Sequence, residues 1–346
     1  MNAREIVKAR YDHQGTEITP TDIIIEDELY DRLTEYYGDE DWHSKKVRMF
    51  KCEYLQVDTL HQFKMEDSDL EKDGFGSIWD LSKRPWHLVK PGMSEPNFNN
   101  YKFPDTETFV QKILDDKAEA IRQYEADDEH YRIISMQWGI YEHTWRMRGY
   151  ENALMDMILE PDFYEELINK ITDLYIAMVE ACAGVPADMI FVGDDWCDQR
   201  GLIMGKELWN KFIRPCTDRF YKAIKKQGWK IMHHCCGSMY DIYDDLVDLG
   251  LDVSESVQPE AKNMEPSLLK SKWGDKLSFW GCLGSQGVLY HGSPEDIRNE
   301  ILRLHELFKN DGGFVLAPAK PLFYNMPIEK AVAVIDTFAE INGMER

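Results

Sequence analysis

Six short apolar runs, each followed by an amphipathic stretch, set the rhythm of this chain. The runs are Arg132–Trp138, Met189–Asp194, Lys230–Cys235, Asp252–Ser256, Leu277–Cys282 and Gly313–Pro318. They are short and nearly free of polar alternation, the pattern of strands buried on both faces. Helical periodicity fills the intervals, over Thr106–Glu125, Asp162–Ala183, Lys206–Gln227, Met239–Leu249, Pro294–Lys309 and Pro327–Glu340. Ser293-Pro294-Glu295-Asp296 reads as a helix start, with a hydroxyl cap, a proline in the first turn and early acids; Met326-Pro327-Ile328-Glu329 reads the same way. Gly228 and Gly250 stand where helix-ending glycines belong.

Strand–helix alternation of this kind predicts a parallel sheet of the α/β class. Two architectures compete, a doubly wound sheet and a closed (β/α)8 TIM barrel. No Gly-x-Gly-x-x-Gly turn follows any strand, so a dinucleotide fold has no support. Polar residues collect instead at the carboxyl ends of the strands: Gln137, Asp194, Asp195, His234, Cys236, Glu255, Cys282 and Lys320. A barrel gathers such ends around one mouth, and the expectation is therefore a (β/α)8 barrel. Residues 1–346 are read as one domain. Its first 105 residues are less regular, with Thr21–Glu26 and Phe50–Val57 as strands. Residues 58–105, aromatic and rich in turn formers, are read as a folded insertion or lid beside the mouth.

Composition narrows the partners. The 346 residues hold 40 Lys and Arg against 63 Asp and Glu, a formal net charge of −23. Phosphate backbones and anionic membranes need clustered cations, so neither nucleic acid nor a membrane surface is expected as a partner. With 43% hydrophobic and 12% aromatic residues, the charge does not signal disorder. Seven cysteines in no paired spacing, an amino-terminal stretch without signal-peptide character and no long apolar run predict a reduced, cytoplasmic protein. Oligomeric state stays open, a homodimer included.

The strongest chemical signal is His233-His234-Cys235-Cys236-Gly237, at the end of a strand. In extended backbone alternate residues share a side, so His234 and Cys236 face together while His233 and Cys235 face away. Imidazole and thiolate together suit zinc, against the alternative of small buried residues with one hydrogen-bonded histidine. Cys282 is the thiol candidate for a third ligand, with a buried inert cysteine as its alternative. Asp194 and Asp195 could ligate, accept a proton or orient the histidine. At the end of Arg132–Trp138, the rings of Trp138 and Tyr141 could floor a flat pocket and Glu142 could hydrogen-bond a substrate, unless they only pack. Gln199, Gln258 and Tyr324 are further neutral candidates for substrate contact.

At these residues the chain resembles the uroporphyrinogen decarboxylase superfamily, particularly its cobalamin-dependent methyltransferase branch. The matching features run from about residue 70 to 340. They are Asp73-Gly74-Phe75-Gly76-Ser77-Ile78-Trp79, Tyr141–Leu154, Gly193-Asp194-Asp195-Trp196 with Gln199 and Gly201, His234-x-Cys236-Gly237, Val257-Gln258-Pro259, Gly281-x-x-Gly-Ser-Gln286, and Gly312 through Pro327. The resemblance implies a (β/α)8 barrel with its site at the carboxyl-terminal mouth. The Arg-rich amino-terminal motif of true decarboxylases is missing, and a −23 chain would hold an octa-acid against its own field. Where thiol-methylating members carry a late cysteine ligand, this chain has Ala317-Pro318-Ala319-Lys320. The remaining branch implies an O-demethylase-type methyltransferase, moving methyl from an aryl methyl ether to the cobalt of a partner corrinoid (cobalamin) protein. Zinc on His234, Cys236 and Cys282 or an acid would polarise the ether, with Asp195 or Glu142 orienting the substrate. A metal-independent decarboxylase or lyase, and a non-catalytic binding protein, remain the alternatives.

Overall fold

A computed structural model describes residues 1–66, 68–82 and 86–344. Its centre is a seven-stranded parallel sheet in which each strand lies beside the next one in the chain. The strands are Lys51–Gln56, Tyr131–Met136, Met189–Gly193, Lys230–His234, Val253–Val257, Ser278–Leu283 and Phe314–Pro318. Each of the six apolar runs is therefore a strand, and the protein is of the α/β class.

Alternation along the strands sorts side chains into two cores. One face sends Tyr131, Ile133, Met189, Met232, Val253, Trp280, Val315 and Ala317 into a cluster with Ala3, Ile6, Val7 and Tyr11 of the helix Ala3–Tyr11. The opposite face sends Ile134, Ile190, Val192, Ile231, Phe279, Phe314 and Leu316 against the surrounding helices. Burial on both faces is what removes polar alternation from the strand sequences.

Thr21–Glu26, expected as a strand, is an extended segment with two isolated parallel bridges, Thr21 to Leu316 and Ile25 to Leu322. A longer ladder is interrupted because its partner passes through Pro318 and Pro321, which have no N–H to give. On its other side Asp22 pairs with Lys51 of the first strand at 3.0 Å. The segment thus touches both the last and the first strand of the sheet.

The predicted helices are found with small shifts of boundary. Ser293 caps Pro294–Phe308 in a capping box, whereas Pro327 is itself the cap of Ile328–Ile341 and offers no side-chain bond. The stretch read as one helix from Lys206 is interrupted by a π-turn over Trp209–Ile213, where the Arg214 N–H reaches back to the Trp209 carbonyl. Pro215, one residue further on, cannot donate to the regular ladder, and the wider turn absorbs that loss. Residues 58–105 contain a four-stranded antiparallel sheet, over 63–64, 70–72, 78–80 and 87–90, with Asp67 and Lys83, Arg84 and Pro85 outside the described residues. Two helices, Ile140–Arg148 and Tyr150–Leu159, follow where only a strand-end aromatic cluster was expected. No helix among the described residues is long and apolar enough to cross a membrane.

Candidate metal centre

Register decides which strand-end side chains meet. His234 stands opposite Gly193 on one neighbour and Glu255 on the other. All three belong to the inward-facing set, and continuing that alternation past the strand ends brings in Asp195 and Cys236. The result is a cavity of about 350 Å³, walled by Trp138, Phe191 and Trp280 and carrying Glu142, Asp195, His234, Cys236, Glu255 and Lys320. Asp22 and Ile24 of the extended amino-terminal segment complete one side.

Asp195, His234 and Cys236 each offer a ligand atom, and those atoms lie within 4.8 Å of one another. Their surroundings suit a metal ion. The Glu255 carboxylate holds His234 Nδ1 at 2.5 Å, which leaves Nε2 pointing at Cys236 Sγ, 3.3 Å away, and at Asp195 Oδ1, 3.5 Å away. A carboxylate on the far nitrogen is the usual partner of a metal-bound imidazole, because it fixes the tautomer and orients the ring. The Cys236 N–H donates to Asp195 Oδ1 at 2.7 Å and pins that carboxylate beside the thiol. Burial works against a charge on His234, but Glu255, Cys236 and Asp195 outweigh it and raise its pKa well above the ordinary value. An imidazole so placed carries a proton that a metal ion would replace.

Two further groups stand over this set. Lys320 Nζ donates to Cys236 Sγ at 2.8 Å. Glu142 is buried against the cavity, where desolvation first and the Asp195 charge second push its carboxyl up to about 7. Glu142 Oε2 accepts from the Gly139 N–H at 3.0 Å, closing the first turn of Ile140–Arg148. Asp194, turned away from the cavity, accepts from the Tyr141 and Glu142 N–H groups at 2.9 Å each and so caps the same helix from another strand. A side chain at Gly139 would put its Cβ 2.2 Å from the Asp194 Cβ, so glycine is required for this approach. Burial and Glu142 both raise the Asp194 pKa.

The remaining expected site residues are distributed elsewhere. Cys282 does not join His234 and Cys236: it is fully buried with the helix-side core, and the charges it senses are Arg303, Glu265 and Glu300. The cause is local. Gly281 and Cys282 have φ of +118° and +71°, which breaks the alternation that would have aimed Cys282 at the cavity. Tyr141 is fully buried behind the wall, its hydroxyl without a hydrogen-bond partner among the described residues. Tyr324 is exposed, its backbone N–H bonded to Glu26. Gln199 donates to Gln258 at 2.8 Å, and Gln258 accepts from the Gly237 N–H at 3.0 Å, so this pair braces the loop behind Cys236. His233 and Cys235 do face away, His233 bonding Tyr221 at 2.8 Å and Cys235 accepting from the Trp196 N–H at 3.3 Å.

Glu255 and Lys320 were visible only as strand-end polar residues; strand register was the missing signal for the first. Phe191 and Trp280 follow from alternation within their strands. Arg146 left no such trace. Its guanidinium lies 4.0 Å from the Trp138 ring and 4.3 Å from that of Trp79 in the small sheet. It thereby ties the small sheet to the cavity wall.

Residues 85–341 match the family model described as uroporphyrinogen decarboxylase (URO-D). Among curated proteins, the uroporphyrinogen decarboxylase of Bacillus cereus (strain B4264) is 25% identical over 140 residues, 36% of this chain and 39% of that protein. The Bacillus subtilis (strain 168) enzyme is 23% identical over 189 residues, 47% of this chain and 52% of its own. The matches thus span about half the length of these relatives or less. Among solved structures, a methyltransferase from Methanosarcina mazei superposes with a TM-score of 0.66 at 15% identity, over 98% of this chain and 99% of its own. At that identity the likeness speaks for the fold.

Proposed function

The chain belongs to the uroporphyrinogen decarboxylase family, and from that premise we propose that it is a methyltransferase with its site at the mouth of a closed (β/α)8 barrel. The segment around Thr21–Ile25 takes the eighth strand position, and its contacts with Leu316 and Lys51 support that closure. The observation that carries the functional reading is the Asp195–His234–Cys236 set with Glu255 behind it. The namesake reaction is disfavoured by the cavity. About 350 Å³ lined by Asp22, Glu142, Asp195 and Glu255, with Lys320 as its one Lys or Arg among the described lining residues, suits no eight-carboxylate macrocycle.

The methyl donor in this reading is small and weakly charged, best an aryl methyl ether, and the acceptor is the cobalt of a partner corrinoid protein. Asp195, His234 and Cys236 would hold zinc, which when bound supplies Lewis-acid polarisation of the ether oxygen. Trp138, Phe191 and Trp280 take the faces of the aromatic ring and keep water from it. Glu142, with Oε2 committed to Gly139 and its carboxyl raised by burial, is the group at the cavity that could hand a proton to the departing phenolate. Glu255 fixes the tautomer of His234 throughout. All seven cysteines are free, which supports a reduced, cytoplasmic setting.

Metal analysis and a methyl-transfer assay test this together. Purified wild type should carry about one zinc per chain, as a three-ligand site predicts, and His234→Ala and Cys236→Ser should lose it. With a Co(I) corrinoid protein and a panel of methoxyarenes, wild type should form methyl-cobalt and both variants should not. Equal metal content in all three would remove the ligand assignment. Carbon dioxide release from a carboxylated arene without a corrinoid partner would replace methyl transfer with a lyase reaction.

A further inference from the structure

We propose that Lys320 is a displaceable internal counter-cation, competing with a divalent metal ion for the Cys236 thiolate. The proposal rests on the metal reading above and concerns a residue that reading leaves without a role. Lys320 follows the last sheet strand, in the segment Ala317-Pro318-Ala319-Lys320. Its backbone is fixed on both sides. The Lys320 N–H donates to Ser285 Oγ at 2.9 Å, the Ala319 N–H to the Leu283 carbonyl at 2.9 Å, and the Ala319 carbonyl accepts from Ser256 Oγ at 2.5 Å. From that anchored base the side chain crosses the mouth and places Nζ 2.8 Å from Cys236 Sγ. The contact is therefore built into the loop rather than the chance position of a free surface lysine.

An ammonium has three donors and no lone pair, so it cannot serve as a further ligand. It can only compete. Its positive charge lies on the sulfur that a metal ion would take, and two cations on one thiolate repel each other in a half-buried site. Asp22 is already paired with Lys51, and Asp195 and Glu255 are engaged with the Cys236 N–H and with His234. Lys320, at 2.8 Å, and the His234 imidazole, at 3.3 Å, are thus the two cationic groups on the unloaded sulfur, and Lys320 is the one that cannot become a ligand. A metal ion entering the set releases the ammonium into the cavity, where among the described lining residues it is the one Lys or Arg.

Zinc competition titration against a chromophoric chelator tests this at fixed pH and salt, on the full chain stripped of metal. Lys320→Met, which keeps the length of the stem and removes the charge, should bind zinc about tenfold or more tightly than wild type, the scale on which neighbours of metal ligands act. Lys320→Arg, which keeps the charge, should stay close to wild type. Lys320→Gln is the second neutral variant should Lys320→Met fail to fold, as judged by circular dichroism. Equal or weaker zinc binding by the neutral variants, with wild type still binding, overturns the competition and leaves the metal site standing. Zinc uptake by neither wild type nor any variant removes the metal site and the proposal together.

Discussion

The two ends of the same seven strands treat charge in opposite ways. At the amino ends, the half-buried carboxylates Asp188 and Asp252 have their cations. Asp188 accepts two bonds from Arg4 at 2.9 Å each, sits 3.0 Å from Lys8 and accepts from the Arg132 N–H at 3.1 Å; Asp252 pairs with Lys225. The helix Ala3–Tyr11 covers that end with apolar side chains. At the carboxyl ends, Glu142, Asp194, Asp195 and Glu255 crowd together; Glu255 has His234, but the Lys320 ammonium is turned to a sulfur and Glu142 and Asp194 stay raised. One end is arranged for stability and the other keeps unfavourable charge where chemistry can use it.

Breaking the paired end should have the largest effect on stability. Asp188→Ala leaves Arg4 and the Arg132 N–H without their acceptor and should cost about 3 kcal/mol, read by chemical denaturation, with zinc content per folded chain unchanged. If that substitution instead abolished metal uptake in folded protein, the two ends would not be separable.

The next effect is a matter of sign. Burial raises the Asp188 pKa, but Arg4, Lys8 and the Arg132 N–H outweigh it and hold it below its ordinary 3.8, so its stabilisation is present above that value and fades as the pH falls below it. Glu142 is raised from 4.5 to about 7, so its cost is absent in acid, builds between those values and is complete above the upper one. Glu142→Gln should therefore stabilise the protein on the order of 2 kcal/mol at pH 8, with little change at pH 4. Denaturation curves at the two pH values check it; a gain of equal size at both would show that ionisation is not its source. Smallest of all, Tyr324→Ala should change stability by less than about 0.5 kcal/mol and leave zinc binding as it was, since the ring is exposed and outside the cavity.

The same division governs what could be read from the sequence. Strands buried on both faces announce themselves as apolar runs, and alternation alone put His234 with Cys236 and turned His233 and Cys235 away. Alternation failed at Cys282 because two residues of left-handed backbone reverse it, and no residue pattern records a φ. The helix Ile140–Arg148 was missed because its cap is not local: Asp194, more than fifty positions on, supplies the acceptor that a neighbouring serine or aspartate usually provides. The small sheet of residues 63–90 was illegible because its strands are short and mostly half-exposed, with too little burial to impose a period.

The extended segment at Thr21 and Ile25 also constrains the order in which the cavity forms. Its partners, Leu316 and Leu322, lie almost three hundred residues later in the chain. On the ribosome, where the chain emerges from its amino end, Thr21 and Ile25 must wait for Leu316 and Leu322 to be made. The lining contributed by Asp22 and Ile24 is therefore among the last parts of the cavity to be laid down. A growing chain carries the histidine and cysteine of the mouth before Asp22 and Ile24 can dock beside them.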